Sequence, residues 1–131
     1  MQYEERYCFV DRLLPHGEDG VKFGFDSRVL DFSILYDNST KSIDLRFEGC
    51  AYQYFAPLPG YHPEQFLVHF PFKSSRVYEL FDTDFLRLSA EIYKGRKYQP
   101  EWRHFFLYLE WENVALHALA KSMSHDSTTL G

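Results

Sequence analysis

Apolar and polar residues alternate most regularly between positions 28 and 48. Leu30, Phe32, Ile34 and Tyr36 fall on one face with Asp31 and Ser33 opposite, and Ile43, Leu45 and Phe47 alternate with Ser42, Asp44, Arg46 and Glu48. A period of two belongs to half-buried strands. The intervening Asp37-Asn38-Ser39-Thr40 supplies short side chains that bond the local backbone in turns. The segment reads as an antiparallel hairpin. Val21, Phe23 and Phe25, set against Lys22, Gly24 and Asp26, predict a strand before it. Tyr3–Leu14 alternates less well and stops at Pro15-His16-Gly17, which reads as a first strand followed by a loop.

Past Glu48 the pattern changes phase. The apolar face lies on odd numbers before Gly49 and on even ones after it, at Cys50, Tyr52 and Tyr54. A one-residue shift at glycine suggests a β-bulge, with a tight turn at Glu48-Gly49 as the alternative. Residues 56–75 hold four of the six prolines, so no regular central strand can run through all of them. Arg76–Phe81 is extended again. Asp82 or Thr83 can cap a helix in which Phe85, Leu88 and Ile92 recur at helical spacing, widened by Leu86, Ala90 and Tyr93 and ended at Gly95. Trp102–Leu109 and Val114–Ala120, joined by Glu110–Asn113, read as a last hairpin, although VALHALA alone also fits a helix turn.

These elements predict an α+β fold: a mainly antiparallel, curved sheet or partly open barrel of six to eight strands, with one packed helix at about 83–94. A length of 131 residues suits one domain, read as 1–121, with the small, polar residues 122–131 as a flexible tail. Aromatic residues reach 19%, which strengthens the strand-rich reading. The net charge of −5 argues against a nucleic-acid partner. That excess lies in residues 1–70, with eleven acids against six bases, a distribution that can steer a basic partner. Cys8 and Cys50 stand alone, without a CxxC spacing, as in a reducing cytosol. The charged N-terminus lacks a signal-peptide core, and no apolar run approaches the roughly 18 residues needed to span a bilayer. The expectation is a cytoplasmic protein with no membrane contact.

Walker, GxGxxG, GxSxG, HExxH and EF-hand spacings are all missing, so no cofactor is expected. His62 and His69 share the proline-rich stretch with Glu64, and His16 lies in a turn, but their spacing matches no ligand pattern and no metal is expected. His104 and His117 carry more chemistry, because the last hairpin brings their strands together. Two such imidazoles can serve as general base and general acid, with Glu101 or Glu110 orienting one of them. Arg103 points to the other face of a regular strand from His104. Glu110 and Glu112, two apart, match the carboxylate spacing of inverting glycosidases, yet they fall in a turn.

Tyr52, Tyr54, Phe55, Tyr61, Phe66, Phe70 and Phe72 form the densest aromatic group. Within it, Tyr61, His62, Phe66, Phe70 and Phe72 sit on a proline-braced loop, and preorganised aromatic bulk of that kind suits a protein interface. The same rings can equally fill the core of a small sheet domain.

The order FEGCAYQYF, VYELFDTDFLRLSA, EWRHFFLYLE and VALHALA, covering residues 43–120, resembles small uncharacterised bacterial proteins, some of them assigned as immunity proteins of toxin systems. The resemblance implies a compact α+β fold and a binding role, and it transfers no catalytic residue. The leading expectation is a non-catalytic domain that binds another protein, in the manner of an immunity inhibitor. The alternative is a small metal-free enzyme built on His104 and His117.

Overall fold

The computed structural model describes residues 2–14, 16–57, 72–98 and 100–126. In chain order these form β1 (Gln2–Cys8), α1 (Val10–Leu13), β2 (Glu18–Asp26), β3 (Val29–Tyr36), β4 (Lys41–Glu48), β5 (Tyr52–Pro57), β6 (Arg76–Phe81), α2 (Asp84–Ile92), β7 (Arg103–Leu109), β8 (Val114–Ala120) and β9 (Ser122–His125). Five strands make one sheet in the order β1-β6-β7-β8-β5, and four make a second in the order β2-β3-β4-β9. Every pairing is antiparallel. The fold is therefore α+β with antiparallel sheets, as the alternation predicts. Among the described residues there are nine strands in two sheets, and no pairing closes them into a barrel.

The alternation determines what lies between the sheets. Leu30, Phe32 and Ile34 of β3 and Ile43, Leu45 and Phe47 of β4 share one buried cluster with Phe105, Leu107 and Leu109 of β7 and with Leu116 and Ala118 of β8. Burying a side chain of this kind contributes about 1.5–3 kcal/mol. The chain changes sheets twice, at neighbouring points. One crossing is Gly49–Ala51, from β4 to β5, where Ala51 N–H donates to the Leu119 carbonyl. The other is Lys121, from β8 to β9, where Lys121 N–H donates to the Glu48 carbonyl. Gly49 has a φ of +61°, and a Cβ there would lie 2.7 Å from Lys121 Cγ. The phase change at glycine thus marks a crossing between sheets rather than a bulge within one. Cys50 is buried in the core, whereas Tyr52 and Tyr54 share the outer face of the five-stranded sheet and are 43% and 52% exposed.

Four further expectations are corrected. The first strand stops at Cys8, and residues 10–13 turn into α1, which places Leu13 in the core. Residues 122–125, expected in the flexible tail, pair with β4, with Phe47 opposite Met123. Helix α2 forms where its spacing predicts, but none of its side chains is fully buried, and Leu88 and Ile92 are 64% and 62% exposed. It meets the sheet through Phe85, whose ring packs against Tyr52, His104 and His117. Phe72, expected at a partner interface, is 6% exposed and packs against Tyr3, Tyr78 and Phe106.

The β7–β8 turn is fixed from a distance. Glu18 is 4% exposed, and its Oε1 accepts from the backbone N–H groups of Trp111 at 2.6 Å and Glu112 at 3.0 Å. Burial pushes its carboxyl pKa up, against the lowering effect of those N–H donors. Gly17 permits this approach, because a Cβ there would lie 2.4 Å from the Trp111 ring.

Candidate functional site

Adjacent strands put His104 and His117 on one face. His104 stands opposite Leu119 and Phe106 opposite His117 in the β7–β8 ladder, so the two imidazoles are diagonal neighbours. His104 Nε2 and His117 Nδ1 are 2.8 Å apart. The other nitrogen of His104, Nδ1, lies 2.8 Å from Thr83 Oγ1. Thr83 is the N-cap of α2, with φ −85° and ψ 163°, and its Oγ1 accepts from Leu86 N–H at 3.4 Å. Helix cap, hydroxyl and two imidazoles therefore form one continuous hydrogen-bonded chain.

The chain ends at a pocket of about 670 Å³ whose wall includes Leu80, Phe81, Phe85, His104 and His117, with Asp82, Asp84 and Arg87 nearby. His104 is 2% exposed and His117 half-buried. Burial, with a smaller contribution from His117, pushes the His104 pKa down to about 4. Burial alone pushes His117 down to about 4 as well. Both rings are neutral at pH 7.

The geometry changes the chemistry expected of this pair. Both nitrogens of His104 are occupied, so among the two rings only Nε2 of His117 can touch a ligand. A separate acid and base acting on one substrate would need a free nitrogen on each ring. The group that orients His104 is Thr83, not Glu101 or Glu110, both of which are exposed. Thr83 is recognisable in the sequence as a cap candidate, but nothing in its spacing connects it to His104.

Arg103 does turn to the opposite face from His104, where it serves the sheet. Its Nη2 and Nε donate to Glu79 at 2.6 and 3.1 Å, Arg6 donates to the same carboxylate at 2.9 Å, and the guanidinium lies over Phe105. Burial raises the Glu79 pKa, but the hydrogen bonds from Arg103 and Arg6 outweigh it and hold the carboxyl below its ordinary value. Three strands are tied by this cluster, and sequence reading missed it because Arg6 reaches inward only at the β1 irregularity between Glu5 and Tyr7.

Of the residues expected at an interface, Tyr61, His62, Phe66 and Phe70 lie outside the described residues, as do Glu64 and His69. His16 is exposed, and Glu112 engages Glu18 through its backbone. Among the described residues, no group of three or more His, Cys, Asp or Glu side chains is arranged to hold a metal ion. No helix among them is long and apolar enough to cross a membrane.

The two lateral sides of the sheet pair differ. On one, β1 and β9 are drawn together by the Tyr7–His125 stack, with ring centroids 3.7 Å apart. Arg12 closes the same side through Tyr7, Tyr36, Ser42 and Asp126. On the other, β5 and β2 are edge strands with no second partner among the described residues. Phe55 bridges them through Phe23 and Phe32, at centroid distances of 5.2 and 5.7 Å. Phe23 and Phe25 are nonetheless 47% and 54% exposed.

Comparison of the chain with protein-family models, with curated proteins and with solved structures finds no match.

Proposed function

We propose that this chain is a protein-binding domain, of the immunity-inhibitor kind, that engages its partner along the side formed by β5 and β2. The observation that carries the reading is the pair of edge strands bearing exposed aromatics, Phe23 and Phe25 on one and Tyr52 and Tyr54 on the other. A strand edge that carries exposed aromatics is a template for strand addition. Tyrosine and phenylalanine contribute large contact area with few rotors to immobilise. The acid excess of residues 1–70 favours a basic partner.

The His104–His117 contact supports binding over two-histidine catalysis, because it leaves one nitrogen free rather than two. The test is site-specific photo-crosslinking in cells of the source organism. A photoreactive phenylalanine analogue at Tyr54 or Phe25 is expected to give one discrete protein adduct, and the same analogue at Ser124, exposed on β9, none. Adducts at Ser124 alone, or at no position, would overturn the reading.

A further inference from the structure

Trp111 is the most exposed large hydrophobic residue among those described, at 69%, and it is nonetheless held in place. Its backbone N–H is clamped by the buried Glu18 at 2.6 Å. The five-membered part of its indole rests against Gly17, where a Cβ would lie 2.4 Å from Cδ1 and 2.5 Å from Nε1. An exposed ring that is fixed before a partner arrives loses little entropy on association. The turn also stands at one end of the β5–β2 side, because Val114 pairs with Pro57 of β5 and Glu18 opens β2.

Charge names the occupant. Glu110 and Glu112 flank Trp111, and Asp19 follows Glu18. The two segments that meet here, 13–20 and 109–114, contain four acids and neither lysine nor arginine. The turn at 37–40 reaches them through Ser39 N–H, which donates to Asp19 at 2.9 Å, and its Asp37 is already paired with Lys41. Arg12 is committed to Tyr7, Tyr36, Ser42 and Asp126. Beneath the turn, Glu18 Oε2 has no hydrogen-bond partner, in a residue only 4% exposed. A tryptophan face is the best aromatic platform for a cation, and surrounding carboxylates add to the attraction.

We propose that Trp111 is a docking point for an arginine side chain of the partner protein, which stacks on the indole and pairs with Glu110 or Glu112. A guanidinium suits the place better than an ammonium: it is planar, stacks on aromatic faces, is weakly hydrated and meets a carboxylate with two N–H donors. This contact rests on the protein-binding reading above for its partner, and it extends the β5–β2 side at one end. Crosslinking at Tyr54 and Phe25 does not involve the ring, so a failed edge and a failed arginine contact are told apart.

The probe is N-acetyl-triarginine amide, titrated at low salt into the ¹⁵N-labelled full chain and followed by proton–nitrogen correlation spectra. The Trp111 indole N–H and the amides of residues 110–113 are expected to shift. The uncharged tricitrulline analogue is expected to leave them unmoved, and trilysine amide to bind more weakly. Trp111→Leu is expected to weaken triarginine binding about two- to fivefold, the worth of an exposed cation–π contact, read from the same amides. Glu110→Gln/Glu112→Gln should weaken it too and flatten its salt dependence, with the backbone spectrum reporting the fold of each variant. Shifts centred on Asp31 and Asp44, or undiminished binding by Trp111→Leu, would overturn the proposal. So would equal binding of trilysine, or a Trp111 signal that moves with protein concentration alone, as docking on a second copy would give.

Discussion

Removing both imidazoles at once should alter how the protein responds to acid far more than how stable it is at neutral pH. In His104→Leu/His117→Leu both partners of the 2.8 Å contact disappear together, and Thr83 keeps its cap bond to Leu86. Replacing both members of a buried polar pair by apolar groups is close to neutral, so the double variant should lie within about 1 kcal/mol of the wild type at pH 7. Acid separates them. The unfolded chain protonates its histidines near the ordinary value of 6.5, whereas the folded pair resists until about 4. Between those limits the unfolded state binds more protons than the folded one, so stability falls as pH falls. At pH 4.5 the effect is about 3 kcal/mol for one imidazole and about 3–5 kcal/mol for the coupled pair. Carboxyls complicate the raw curve: Glu18, held high by burial, favours the folded state on acidification, and Glu79, held low by its arginines, does the reverse. The difference between wild type and variant cancels both. Urea unfolding at pH 7 and pH 4.5 measures it, and parallel pH curves for the two proteins would refute the neutral buried pair.

Gly49→Ala should cost about 1–2 kcal/mol in urea unfolding, because its φ of +61° is strained for any L side chain and the new methyl meets Lys121. Glu18→Ala should cost about 3 kcal/mol, since two turn N–H groups lose their acceptor. Glu18→Gln, which keeps an acceptor oxygen, should cost less, with thermal melts ranking the two. Phe72→Ala should lower stability by about 3 kcal/mol as a core truncation does, whereas the exposed Tyr54→Ala should leave the melting temperature within a degree or two.

Alternation made β2, β3 and β4 legible, because period two is a local property, and the β7–β8 hairpin was legible as two apolar segments joined by the polar Glu110–Asn113. The hairpin in turn placed His104 beside His117. The direct contact between the rings, and the hydroxyl behind them, depend on where α2 docks, and α2 docks through Phe85 rather than through the Leu88–Ile92 stripe that its spacing suggests. The polar run at 122–125 looks like a tail, because an edge strand needs few apolar residues when its partner β4 supplies them. Glu18 carries no sequence signal at all, since its partners are backbone groups more than ninety residues away. Chemistry that arises where distant segments cross, as at Gly49 and Lys121, is invisible to any local period.

The binding account is tested most directly by amide hydrogen exchange, comparing the free chain with the chain bound to the protein captured by crosslinking. New protection is predicted along β5 and β2, at Tyr52–Phe55 and Gly20–Phe25, with β1 and β9 unchanged. Protection confined to β1 and β9, or to the outer face around Asp31 and Arg46, would contradict the account.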